Sequence, residues 1–292
     1  MEENVIQCEQ VTHYYGSRMI HEELSFEVKR GKILGLLGKN GTGKTTIINI
    51  LNGYLTPRSG ACRLFGEDTR NLSPATKARV GLLLEGHVQH AYFNAEQIER
   101  FYSRFFPRWR REAYHELLEK LQVSRRQKIN TMSRGQRSQV ALGLLFAQDP
   151  ELLVLDDFSM GLDPGYRRLF VEYLKEYAAN GEKTIFLTSH IIQDMEMLVD
   201  DCIILDYGRV LLHEPTRYIL DNFRRYRFTA PAPAGEREGF CNAGRVGEQW
   251  ESYSFLPPEE ATRRLHALGA RVETAGERLS LEDAFIGLTG KY

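Results

Sequence analysis

The sequence predicts an α/β fold in which buried strands deliver polar residues from their C-terminal ends. Three runs carry that expectation. Ile33-Leu34-Gly35-Leu36-Leu37 is long enough for a buried strand and too short for a helix, and it opens into Gly38-Lys39-Asn40-Gly41-Thr42-Gly43-Lys44-Thr45. Leu152-Leu153-Val154-Leu155 ends in the paired acids Asp156-Asp157. Thr184-Ile185-Phe186-Leu187 ends in Thr188-Ser189-His190. Open α/β sheets bind their ligands at that end of the strands.

Taken in order, residues 4 to 30 alternate as a strand pair, with Val5-Ile6 opening the first strand and a turn near Tyr15-Gly16-Ser17. Leu24-Ser25-Phe26-Glu27-Val28 forms the second strand, and Arg30-Gly31 turns into the run at Ile33. A helix is expected from Thr46, and Ala61 to Gly66 and Arg79 to Leu84 read as further strands. Helical spacing then dominates residues 87 to 149, over Glu96 to Phe106, Arg110 to Leu121 and Gly135 to Ala147. This predicts a helical insertion. Its aromatic run Phe101 to Trp109 reads as a small helical core, with a partner-facing patch as the alternative. Cys202 to Asp206 and Arg209 to Leu212 make a hairpin about Tyr207-Gly208. Composition shifts after Phe223: Thr229 to Gly235 is linker-like, Trp250 to Phe255 a strand, and Pro258 to Leu268 and Leu281 to Leu288 helices. The end of the chain is therefore expected to be a small α+β domain, with no catalytic spacing in it.

Composition narrows the class. The 292 residues are 42% hydrophobic and 26% charged, the balance of a globular protein with room for about two domains. Lys and Arg total 38 against 39 Asp and Glu, so nothing points to nucleic acid. Cys8, Cys62, Cys202 and Cys241 lack C-x-x-C pairing and are expected to be reduced thiols in a cytoplasmic protein. The N-terminus lacks the layout of a signal peptide, and no apolar run approaches the ~18 residues of a membrane span.

The chemistry lies in the strand ends. Residues 38 to 45 fit G-x-x-x-x-G-K-[ST] at every fixed position. Glycines there let successive amide N–H groups point into one concavity, and the following helix N-terminus adds positive potential. Lys44 would reach the β and γ phosphates, and the Thr45 hydroxyl would complete the shell of a Mg²⁺ ion. Asp156 and Asp157 fit a cation or catalytic role, because buried carboxylates are otherwise costly. Tyr14-Tyr15 fits either a sheet pair or a ring stacked on an adenine base.

Together these motifs resemble the ATP-binding subunit of an ABC transporter over residues 5 to about 215, in that family's order. The resemblance gives Tyr15 the base-stacking role and makes Gly38, Asn40, Gly41, Thr42, Gly43, Lys44, Thr45 and Thr46 the phosphate loop. Met132-Ser133-Arg134-Gly135-Gln136 resembles the LSGGQ signature, with Arg134 in place of a glycine. It implies that Ser133, Gly135 and Gln136 contact the γ-phosphate held by a second subunit. By the same resemblance Thr45 and Asp156 bind Mg²⁺, Ser159 to Pro164 is the dimer-contact loop, and His190 is the switch histidine. Two further positions depart from the family. The usual catalytic Glu is Asp157, shorter in reach by one C–C bond, about 1.5 Å, and in heterodimeric relatives such a change marks a slower site. Glu85 stands where many members carry a Gln that senses Mg²⁺ and the membrane partner, although acidic residues occur there in the drug- and antibiotic-export subfamily.

What the resemblance implies is a P-loop NTPase with a RecA-like core, an N-terminal antiparallel β subdomain, an inserted helical subdomain at about 87–149 and a C-terminal α+β domain. The expected boundaries are 1–222 for the ATP-binding domain and 223–292 for the accessory domain. ATP with Mg²⁺ would be bound and hydrolysed, with Asp157, His190 and Glu85 as the catalytic set, to power export through a separately encoded permease. The partners are that permease and a second ATP-binding subunit, identical or different, and the location is the inner face of the cell membrane. Two rivals remain at this stage: a catalytically weak regulatory subunit, motivated by Asp157, and a soluble ABC ATPase without a transport role.

Overall fold

A computed structural model describes residues 3–84, 90–159, 162–235 and 239–290. The first layer is an antiparallel sheet. β1 (Asn4–Tyr15) pairs with β2 (Arg18–Lys29) across the expected turn. After β3 (Ile33–Gly38) and α1 (Lys44–Leu51), the chain returns to this sheet as β4 (Ser59–Leu64) and β5 (Glu67–Asp68), giving the order β2-β1-β4-β5. The short α2 (Pro74–Lys77) leads into β6 (Val80–Leu83).

The central sheet is the second layer. It takes β3, β6, β7 (Leu152–Leu155), β8 (Thr184–Thr188), β9 (Asp201–Asp206) and β10 (Arg209–Pro215) in the order β10-β9-β3-β8-β7-β6. All neighbours are parallel except the β9–β10 hairpin. Because the side-chain period of a strand is two, each central strand feeds two cores. Leu34, Leu36, Val154 and Phe186 pack toward the antiparallel sheet and α1. Ile33, Leu37, Leu153, Leu155, Ile185 and Leu187 pack on the opposite face against the helices. That double burial is why these runs carry no polar residue until they end.

The helical insertion contains α3 (Ala95–Tyr102), α4 (Arg111–Lys120) and α5 (Arg134–Ala147). The helix expected to run from Glu96 to Phe106 stops at Tyr102, and Pro107 lies just beyond, where its ring and missing N–H bar a continuing helix. The aromatic run is the expected core only in part, through Tyr102 and Trp109, which pack against the main core. Phe105 is 62% exposed and Phe101 borders on exposed; they meet edge-to-face, and Phe101 also meets His90 and Phe93 edge-to-face. Trp109 is tied down by its indole N–H, which donates to Glu99. Arg108 of the same segment joins Arg30 and Arg79 around Glu151, at the entrance to β7. Arg79 foremost among them holds the Glu151 carboxyl at about 2.

Three more helices cover the sheet: α6 (Pro164–Ala178), α7 (Ile192–Leu198) and α8 (Thr216–Asn222). The C-terminal region is an antiparallel sheet of β11 (Arg224–Thr229), β12 (Cys241–Val246), β13 (Gln249–Ser254) and β14 (Arg271–Arg278), in the order β12-β13-β11-β14. α9 (Pro258–Ala267) and α10 (Leu281–Thr289) flank it. Three of its four strands escape the periodicity reading, since β12 is largely exposed with little apolar content, β14 is exposed and charged, and β11 is rich in Arg. The linker-like segment after Thr229 is a loop inside this region, and Ala234 within it is fully buried. Leu281, Ala284 and Phe285 of α10 belong to the same core as Met195 and Leu198 of α7.

Candidate functional site

The ends of β3, β7 and β8 converge on one cavity of about 440 Å³. Tyr15, Arg18, Asn40, Gly43, Lys44 and Thr45 line one side, and Asp156, Asp157, Thr188, Ser189 and His190 the other.

The loop from Gly38 to Thr45 is shaped by glycines that nothing else can replace. Gly41 and Gly43 have φ of 79° and 95°, the left-handed region that side chains avoid. A Cβ on Gly43 would also lie 2.6 Å from the His21 ring. α1 starts at Lys44, two residues before the sequence expectation, so the lysine sits at the helix N-terminus. Its ammonium is buried and donates to the carbonyls of Gly38 (2.7 Å) and Lys39 (3.1 Å). Thr42 closes the loop from within, its hydroxyl donating to Lys39 O at 2.8 Å. Thr45 is exposed, with its side of the loop on the cavity, and Thr46 is buried beneath it.

His21 escapes the motif reading. It lies on β2, fully buried, and its Nε2 is 3.1 Å from the Gly43 carbonyl. Burial lowers its pKa from 6.5 to about 4, with His13 opposite adding to the effect and the Gly43 contact opposing it. The unfolded chain therefore takes up this proton first on acidification, so stability falls as pH drops from 6.5 toward about 4 and the loss levels off below that. The contribution is on the order of 3 kcal/mol at its fullest. His21→Gln keeps a donor and removes the titration. Urea denaturation across this window should show a shallower pH slope for the variant, and equal slopes would refute the assignment.

The acidic pair is held in a defined geometry. Asp156 Oδ1 accepts from the Thr188 hydroxyl at 2.7 Å, and the same hydroxyl oxygen accepts from Asp157 N–H at 2.9 Å. Thr188 thus fixes the Asp156 carboxylate and the Asp157 backbone. Asp157 has φ of 45°, and its Oδ1 accepts from His190 N–H at 3.2 Å. Its Oδ2 is 3.3 Å from His190 Nε2, close but not aligned for a hydrogen bond. Asp156 Oδ2 and Asp157 Oδ2 are buried without a hydrogen-bond partner. A buried oxygen left unpaired on Asp156, facing a cavity shared with the Thr45 hydroxyl, fits a hard cation such as Mg²⁺ that takes oxygen ligands. Ser189 supports the strand end by pairing its hydroxyl with that of Ser159 at 3.1 Å.

The signature stretch is elsewhere. Ser133 caps α5, accepting from Gln136 N–H at 3.2 Å, and Gln136 Oε1 accepts from Ser133 N–H at 3.0 Å. This capping box leaves Ser133 and the adjoining Arg134 exposed at a helix N-terminus, where an anion is favoured. Ser133, Gly135 and Gln136 do not line the cavity. Glu85, and Met160 and Gly161 of the dimer-contact loop, lie outside the described residues. Thr188, His21 and Arg18 are the site residues that motif spacing misses. Thr188 alone had a sequence signal, as the polar residue between an apolar strand and Ser189-His190.

Comparison with known proteins gives a consistent picture. The ABC transporter family matches residues 21–159. The Nod factor export ATP-binding protein I of Ralstonia nicotianae is 32% identical, over 98% of this chain and 94% of its own length. The bacitracin transport ATP-binding protein BcrA of Bacillus licheniformis is 30% identical, over 76% of this chain and 73% of its own. Among solved structures, the dimeric post-hydrolysis state of an ATP-binding cassette bound to ADP and Pi aligns with a TM-score of 0.65 at 20% identity, covering 73% of this chain and 99% of that one. That last likeness speaks to the fold.

Proposed function

The chain belongs to the ABC transporter family as an ATP-binding, ATP-hydrolysing subunit, and from that premise we propose that it powers an exporter through a separate membrane permease. The observation that carries the reading is the single cavity joining a phosphate loop, an acidic strand end and a histidine. Export is favoured because relatives named for Nod factor export and bacitracin transport align over most of their length.

In this reading Tyr15 stacks on the adenine. The amides of Gly38 to Thr46 cradle the phosphates while the Lys44 ammonium neutralises them. Thr45 and Asp156 hold Mg²⁺, which supplies charge neutralisation at the terminal phosphates. Asp157 orients and deprotonates the attacking water, with His190 beside it to register the γ-phosphate and Glu85 to relay its presence. Ser133, Gly135 and Gln136 serve the site of a second copy, in keeping with their absence from the cavity of their own chain. No helix among the described residues is long and apolar enough to cross a membrane. The permease would then hold the subunit at the inner face, against the exposed aromatic cluster of Phe101 and Phe105. Residues 1–222 would form the ATP-binding domain, with the helical subdomain at about 87–149, and 223–292 the accessory domain.

The wild type and one variant test the two halves. Tagged wild-type protein should bring an integral membrane protein down from its native membrane and hydrolyse ATP. Ser133→Arg should keep monomeric ATP binding but lose the ATP-dependent dimer on gel filtration. A dimer that persists would overturn the role of the signature, and an ATPase with no membrane companion would favour the soluble rival.

A further inference from the structure

The phosphate loop is tied to the other end of the chain. Lys39, a variable position of the loop, donates from Nζ to the carbonyl oxygen of Thr289 at 2.8 Å, across 250 residues of sequence. Thr289 is the last residue of α10, so the ammonium meets one of the carbonyls that a helix C-terminus leaves without an intrahelical partner. Asn242 of β12 meets two more, its Nδ2 donating to Gly287 O at 2.7 Å and Leu288 O at 2.6 Å. The other end of α10 is fastened to α7. Leu281 N–H donates to Glu196 Oε2 at 2.7 Å, and Gln193 donates to Glu282 at 2.8 Å. Leu281, Ala284 and Phe285 fill the core shared with α7. α7 begins two residues after His190.

We infer that α10 is a strut joining the phosphate loop to the helix behind His190, so that the C-terminal region sets nucleotide affinity and senses nucleotide through Lys39. The inference rests on the nucleotide site proposed above. A helix C-terminus carries about half a negative charge. Pointed at a loop built for phosphates, it opposes their binding unless it is neutralised. The Lys39 ammonium neutralises it, the uncharged Asn242 amide satisfies two of its carbonyls from the other side, and Lys39 also fixes the loop backbone against a rigid element. Linkage makes the effect reciprocal: if α10 biases phosphate binding, phosphates bias α10.

The full-length chain supplies the test, with ATP and ADP affinities measured by calorimetry. Lys39→Met should weaken ATP binding by roughly two- to fivefold, the range of a charge at a helix end. Asn242→Gly keeps the left-handed φ of 48° at that position and removes only the side chain. It should weaken ATP binding about two- to threefold, though it lies on β12 and outside the cavity, and the double variant should lose less than the product of the two. Each loss should be larger for ATP than for ADP, since the opposing charge acts on phosphate charge; a general loosening would lower both alike. In the wild-type chain, ATP should also change amide exchange in the last turn of α10. An Asn242→Gly affinity equal to wild type, effects that simply multiply, or exchange in α10 indifferent to ATP would each overturn the strut. Wild-type protein that binds no ATP would instead overturn the nucleotide site itself.

Discussion

Asp157→Asn is expected to lower ATP turnover at least about tenfold, a floor set below the 10²–10⁴-fold that a well-placed general base contributes because the shorter Asp157 is less well placed than a glutamate. The substitution is a clean one here. Asn tolerates the left-handed backbone that Asp157 adopts, at φ of 45°. It keeps an oxygen to accept from His190 N–H and leaves the backbone N–H on Thr188. What disappears is the charge on a buried carboxylate whose Oδ2 has no hydrogen-bond partner and lies 3.3 Å from His190 Nε2. Asp157→Glu adds the missing ~1.5 Å of reach and should be neutral or faster in turnover. The measurement is steady-state ATPase with the membrane partner present. A wild-type rate equal to that of the Asn variant would mean a degenerate base, and a second, different ATPase subunit would then supply the working site.

How much of this was legible in the sequence follows from which forces leave a local trace. The central strands were readable because burial on both faces forbids polar residues along Ile33–Leu37, Leu152–Leu155 and Ile185–Leu187. The glycines of the phosphate loop were readable because only their backbone freedom permits its turns. β12 and β14 were not, since strands with exposed, polar or charged sides look like loops until a partner strand is known. The aromatic run from Phe101 misled in part, for the opposite reason: apolar residues at helical spacing say that a face is apolar, and not whether anything covers it.

The site shows the same division. Motif residues adjacent in sequence were found, while Thr188, which sets both Asp156 and Asp157 from a neighbouring strand, depends on β7 and β8 lying side by side. His21 reaches Gly43 only because the antiparallel sheet lies behind the phosphate loop. The bond from Lys39 to Thr289 depends on where α10 docks, which no spacing rule reports.

Lys44→Ala is expected to abolish tight binding of MgATP, with a loss of about 2–5 kcal/mol, or roughly 30- to 5,000-fold in Kd. Lys44 is the cation placed at the N-terminus of α1, buried against its own loop by bonds to Gly38 and Lys39 carbonyls. Those two acceptors hold a charge ready inside the cavity at little cost in side-chain entropy, and phosphate oxygens compete for the same ammonium. Alanine leaves the amide cradle intact but takes away the only charge-assisted donor from within the loop's helix end, where low dielectric strengthens each contact. It also takes the ammonium from the Gly38 carbonyl, whereas the Lys39 carbonyl keeps the Thr42 hydroxyl as a donor, so a thermal melt must accompany the measurement to separate lost binding from lost folding. A folded Lys44→Ala protein with wild-type affinity for ATP would remove the phosphate-loop assignment, and with it the roles proposed for Thr45, Asp156 and Asp157.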